Sequence, residues 1–215
     1  GAEGTVYRTD SALRGPGAII VRDIASGRAM RRLSGVPATS VDPAFVPVVE
    51  GLPVMVEGAG GKPKPLGVAS DGIALSADGQ TLYFTPLSSR HLYAVSTALL
   101  RDATVTEQQL AAAVQDLGEK GASDGMEADA DGAVYAGDYE HNSIRKRLPD
   151  GQWQTLVHDP RLLWPDTLSI GPDGYLYFIA NQLHRQAAFR GGQDQRQKPY
   201  SLLRLKIDAA PAPTR

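Results

Sequence analysis

Cysteine is absent from these 215 residues, which excludes disulfides and thiolate metal sites at once. Charge of one sign is also lacking. The 22 Lys and Arg nearly balance 24 Asp and Glu, for a formal net charge of −2, so no bulk attraction to nucleic acid or an anionic membrane is expected. No apolar run approaches the roughly 20 residues of a membrane span, and no charged-then-apolar leader opens the chain. The first residue is Gly1 rather than Met, which suggests that a leader or a larger N-terminal part has been removed. Nucleophile elbow, Walker loop, dinucleotide fingerprint and zinc-protease helix are all missing. The glycine-rich GAGGKPKP at 58–65 carries Pro63 and Pro65 where a phosphate cradle would need a helix. What remains is a small-molecule partner, with neither nucleic acid nor membrane.

What is present is a repeat. SDGIALSADGQTLYF (70–84) recurs as SDGMEADADGAVYAG from Ser123 and as PDTLSIGPDGYLYFI from Pro165. Each copy sets an Asp (71, 124, 166) ahead of a short apolar run, then an Asp-Gly pair (78–79, 131–132, 173–174) and a second run. Asp-Gly between two such runs is a strong hairpin signal, because Gly takes the positive φ of a tight turn. Third strands follow at 91–97, 143–149 and 200–207, and WQTLVHD (153–159) supplies a fourth to the middle copy. Antiparallel strands recurring at this interval describe propeller blades. Asp124 and Asp166 are 42 residues apart, but Asp71 and Asp124 are 53 apart. The excess contains TEQQLAAAV (106–114), whose Thr-x-x-Gln capping box predicts a short helix inserted between blades.

Residues 4–34 carry a weaker three-strand copy with a Ser26-Gly27 turn, and 36–67 reads as a long Pro- and Gly-rich connection with one strand at PVMVEG. The expectation is an all-β propeller of about four blades over 1–208, a single domain that lacks N-terminal blades and forms the C-terminal part of a six-bladed ring. Residues 209–215 are expected to be a disordered tail.

The segments 71–102, 123–144 and 164–185, with PLSSRHLY and WPDTL inside them, resemble successive motifs of the major royal jelly protein and Yellow family. YRTDSALRGPGAIIVRDIASGRAMRRLSG (7–35) is similar to the segment that precedes them there. The resemblance spans almost the whole chain. It implies a six-bladed propeller, a secreted or periplasmic setting, and distant kinship with gluconolactonase- and regucalcin-like metal-dependent lactonases.

Inner strands line a propeller's channel, so Asp71, Asp124 and Asp166 should converge on the axis. Carboxylates brought together need a cation, a ligand amine or a shared proton, and Ca²⁺ or another divalent ion suits such an oxygen cluster. The resemblance to the lactonases points to Asp71 and Asp124 as metal ligands, with Asp124 also the general base. The relatives' metal-binding Glu comes from an N-terminal blade, and Asp stands here where they have Asn. Yellow-related amine binders use positions matched by Thr167, Asn181 and Leu183, and Asp166 would be the anionic partner of an amine. The plainer reading of each Asp is an Asx turn before a strand. Asp78, Asp131 and Asp173 read as turn residues, Tyr83, Tyr135 and Tyr177 as core, and His184 as a rim histidine. Three functions stay open: a binding protein for a small amine-like ligand, a metal-dependent lactone hydrolase, and a protein-interaction platform.

Overall fold

Gly79, Gly132 and Gly174 take φ values of 71°, 88° and 75°, and each closes a tight antiparallel hairpin as the Asp-Gly signal requires. A computed structural model describes residues 4–12 and 15–213. In chain order its strands are β1 (Thr5–Asp10), β2 (Ala18–Asp23), β3 (Ala29–Arg32), β4 (Val48–Val49), β5 (Leu52–Pro53), β6 (Met55–Glu57), β7 (Pro63–Pro65), β8 (Ser70–Leu75), β9 (Thr81–Pro86) and β10 (His91–Ser96). Helices α1 (Thr97–Arg101) and α2 (Glu107–Ala112) follow, then β11 (Gln115–Glu119), β12 (Met126–Ala128), β13 (Val134–Asp138), β14 (Ser143–Arg147), β15 (Trp153–His158), β16 (Pro165–Ile170), β17 (Tyr175–Ala180) and β18 (Ser201–Lys206).

The strands form four meanders, β1–β3, β8–β11, β12–β15 and β16–β18, plus the hairpins β4–β5 and β6–β7. Inner strands neighbour one another in succession, β1 on β8, β8 on β12 and β12 on β16. The apolar clusters lie between successive sheets, as blade packing demands. Ile19, Val21 and Leu33 of the first blade pack on Leu82, Phe84 and Val95 of the second. Ala74 and Leu92 meet Met126, Val134 and Ala136, and Tyr135 and Ile144 meet Leu168, Leu176 and Phe178. A fourth cluster, with Phe45, Val49, Val54, Leu66, Tyr139 and Trp164, seats the 36–67 connection over one end of the blades. The fold is therefore a β-propeller, with four blades among the described residues.

Two details differ from the sequence reading. The capping box is present, with Thr106 Oγ1 accepting from Gln109 N at 3.2 Å and Gln109 Oε1 accepting from Thr106 N at 3.0 Å. However, α2 does not separate two blades. It lies inside the second, between β10 and an outer strand β11 whose polar QDLGE carries no alternating signal. From α2, Glu107 accepts Leu33 N–H at 2.7 Å and pairs with Arg32 at 3.1 Å, which ties the first blade to the second. Second, the segment from 209 is ordered through residue 213. Ala130 N donates to Ala210 O at 2.9 Å, Ala212 N to Ala128 O at 3.3 Å, and Ala209 is buried. Small side chains let this stretch lie flat against the third blade; Thr214 and Arg215 are outside the described residues.

Neighbouring inner strands approach so closely that only glycine fits. A Cβ on Gly72 would sit 2.5 Å from Asp124 O, and one on Gly125 would sit closer still to Asp166 O. Gly125 N donates to that same Asp166 oxygen at 3.1 Å. Gly125→Ala forces two blades apart, and urea unfolding should show a loss of at least about 2 kcal/mol.

Lys120 is fully buried after β11, its ammonium donating to Gly121 O at 2.9 Å. Burial pushes its pKa down to about 7; the nearby Asp138 carboxylate opposes this and Arg145 adds to it. The unfolded chain therefore holds a proton that the folded chain sheds between about pH 7 and the ordinary lysine value, and stability rises with pH across that window. Lys120→Met should be more stable than the parent at pH 7, with the gap closing toward pH 10 in paired thermal melts.

Candidate functional site

The pairing register breaks between Ser70 and Ile73 in β8 and between Pro165 and Leu168 in β16. Such irregularities swing a side chain out of the strand's alternation, and Asp71 and Asp166 occupy them. Asp124 stands two residues ahead of β12. The three carboxylates of successive blades thus meet near the axis, as the repeat predicts, close enough for each to perturb the next.

Each carboxylate has its own support. Ser11 Oγ, from the end of the first blade, donates to Asp71 Oδ1 at 2.8 Å, and Thr9 Oγ1 to Asp71 O at 2.7 Å. Trp164 Nε1 donates to Asp124 Oδ2 at 2.8 Å. Asn181 Nδ2 donates to Asp166 Oδ2 at 2.6 Å, Thr167 Oγ1 to Asp166 Oδ1 at 3.3 Å, and Leu183 N to Asn181 Oδ1 at 2.9 Å. The structure therefore brings Asp166, Thr167, Asn181 and Leu183 into one hydrogen-bonded unit, with Thr167 exposed and the others half-buried.

Asp71 and Asp124 lie close enough for each to bear on the other's ionisation. Two carboxyl groups so placed are relieved of repulsion by a shared proton or a bound cation. Burial, before any other cause, lifts both above the ordinary carboxylate range, and for Asp124 the charges of Asp166 and Asp71 add to the rise. Among the described residues, no Lys, Arg or His lies within ion-pair distance of any of the three.

The indole that reaches Asp124 is the least expected element. Trp164 is fully buried with φ at 62°, a left-handed conformation that bulky residues rarely adopt and that costs on the order of 1–3 kcal/mol. Its ring stacks on Tyr139 at 4.1 Å and 4°, and on His184 at 5.9 Å and 17°. Tyr139 is pinned by its hydroxyl donating to Leu87 O at 2.7 Å. His184 is no rim residue: it is buried, and its Nε2 meets Glu50 Oε2 at 2.7 Å. Burial pushes its pKa down, leaving a neutral ring that donates through Nε2, while Nδ1 has no partner among the described residues.

Glu50 occupies the tight turn of β4–β5 with Gly51, at φ values of 53° and 74°. Arg185 binds its carboxylate through Nε at 2.9 Å and Nη2 at 2.5 Å, and Arg190 stands 3.9 Å away. Chiefly through Arg185, the Glu50 pKa falls to about 2. Sequence reasoning missed Glu50, Ser11 and Tyr139. WPD at 164–166 was the one visible signal, since it links the indole to an axial aspartate.

The donor set does not fit a resident Ca²⁺, which takes six to eight oxygens. Ser11 and Trp164 each take up one oxygen of Asp71 and Asp124. No group of three or more His, Asp or Glu among the described residues is arranged to hold a metal ion. Among the described residues no metal site is therefore seen at Asp71 and Asp124, the two expected ligands.

A raised carboxyl pKa sets the sign of a stability test. The contribution is full below the ordinary aspartate range and is lost as pH rises through the folded-state value. Asp124→Asn keeps an acceptor for Trp164 and a donor for Asp71 without the charge. It should raise the melting temperature at pH 7 by about 2–4 °C for each kcal/mol of relieved repulsion, with the advantage vanishing toward pH 4.

Among solved structures, a chain of a nidogen/laminin complex matches with a TM-score of 0.54 at 16% identity, over 84% of this chain and 54% of that one. A gluconolactonase from Xanthomonas campestris matches at 0.53 and 15%, over 83% and 51%. A calcium-binding regucalcin from Agrobacterium tumefaciens matches at 0.45 and 15%, over 98% and 88%. The chain spans about half the length of the first two. At such identities the first two likenesses speak to the propeller fold alone. No curated protein matches the chain. The sequence pattern of the major royal jelly proteins matches residues 1–215, the same stretch that carries the repeat and its axial aspartates, and the chain belongs to the major royal jelly protein family.

Proposed function

We propose that this chain binds a small amine-bearing molecule at the channel mouth, its ammonium taking the place of the proton between Asp71 and Asp124 with Asp166 beside it. The observation that carries this reading is the meeting of three carboxylates with, among the described residues, no protein cation in ion-pair range. Such a cluster favours a mobile positive charge. Thr167 stands on the exposed rim, while Asn181, with Leu183 behind it, holds Asp166 in orientation. Trp164 fixes Asp124 from below. The same reading keeps the setting outside the cytoplasm, as family resemblance implies.

Binding an ammonium requires ionised acids, and Asp124 resists ionisation. Affinity should therefore fall as pH is lowered from 8 to 5. Calorimetry with tyramine and with its neutral counterpart tyrosol tests this. Tyramine should bind at least tenfold tighter than tyrosol at pH 8, and Asp124→Asn should weaken it at least tenfold while the fold is kept. Equal binding of the two would overturn the reading. Saturable Ca²⁺ binding accompanied by turnover of an aldonolactone would replace it with a metal-dependent hydrolase in which Asp124 activates water.

A further inference from the structure

A cavity of about 260 Å³ opens at the far end of the first blade, between the β2–β3 turn and the α1–α2 connection. Thr5, at the start of β1, lines it. Ser11, just past the other end of β1, holds Asp71, so about 20 Å of strand separates this cavity from the channel mouth. The two regions share no residue.

Its lining has two characters. Val21 is buried and Met30 half-buried, and with Ala103 they give an apolar floor. Arg101, the last residue of α1, and Arg28, at the β2–β3 turn, stand beside it. Arg101 is half-buried, and among the described residues its guanidinium makes no hydrogen bond or ion pair. Its Nη1 is sealed from solvent without any acceptor.

A desolvated guanidinium with no counter-charge is costly, and buried polar groups of native proteins are nearly always satisfied. Asp23 also lines the cavity, but its Oδ1 is committed to the backbone and hydroxyl of Ser26, at 2.6 and 2.5 Å. Among the described residues, two cationic forks against one engaged carboxylate leave the cavity with an excess of positive charge. The planar guanidinium matches a carboxylate in two-point contact. The volume falls just below the roughly 300–1,000 Å³ usual for ligand pockets, which suits a small ligand.

We propose that this cavity is a second binding site, for a small organic acid whose carboxylate pairs with Arg101 and whose short apolar chain lies on Val21, Met30 and Ala103. Arg28 contributes long-range attraction from the exposed rim, and Thr5 supplies a hydroxyl at the closed end. The assignment is independent of any amine at the axis.

Isothermal calorimetry on the full chain, with hexanoate, 1-hexanol and inorganic phosphate as probes, tests it. Hexanoate should bind saturably, 1-hexanol at least tenfold more weakly, and Arg101→Met should weaken hexanoate at least tenfold. Because Arg101 makes no bond among the described residues, that variant should keep the parent's circular dichroism and melting temperature, so a loss of binding reads on the site. Binding of hexanol as tight as hexanoate, or hexanoate affinity unchanged in Arg101→Met, overturns the proposal. Phosphate binding as tightly as hexanoate overturns the choice of an organic acid.

Discussion

The approach of one inner strand to the next, at distances no Cβ would tolerate beside Gly72 and Gly125, is the constraint on which the site depends. It places the carbonyl oxygens of Asp124 and Asp166 against the neighbouring backbone, one of them as an acceptor for Gly125 N–H. The same approach draws together the side chains of those residues. Crowding of charge at the axis is thus a by-product of close blade packing, and it lifts the pKa values of Asp71 and Asp124 above the ordinary carboxylate range. In the fourth blade Thr167 takes the place of glycine and lies exposed, since no further inner strand of the described residues presses on it in that way.

The 36–67 connection makes the site more than a ring of acids. It delivers Glu50 on a two-residue turn to His184, Arg185 and Arg190, and it buries Phe45, Val49 and Val54 against Tyr139 and Trp164. Asp124 is held by an indole, the indole by two flanking rings, and one of those rings by a carboxylate from a distant segment. The strained backbone of Trp164 persists because packing on both faces over-determines it. Each link depends on the one before it.

Much of the fold was legible because β-hairpins announce themselves locally. Asp78, Asp131 and Asp173 with their glycines marked three turns, and the Asp at each strand start marked the axis. Asn142, at φ 49°, took the turn role that its place in YEHNSI suggested. Other features had no local signal. The polar β11 pairs because β10 presents it an edge, and its sequence alone reads as loop. Lys120 is buried by tertiary packing that no neighbour in sequence foretells. In the third blade, Asp129 does the capping work beside Asp131, accepting from Ala133 N at 2.8 Å and from the Tyr135 hydroxyl at 2.8 Å, which shows how a turn can shift its support by two residues without changing shape.

Of the two tryptophans in the chain, only Trp164 is fully buried, and its indole hydrogen faces the shared acid pair. Trp153 is half-buried, near the Arg145 guanidinium at 5.4 Å. The emission of the two is therefore separable by colour, with the blue component arising beside Asp124. Protonation or displacement at the axis changes the electric field along that indole, so the molecule carries an intrinsic optical reporter of the state of its own channel mouth.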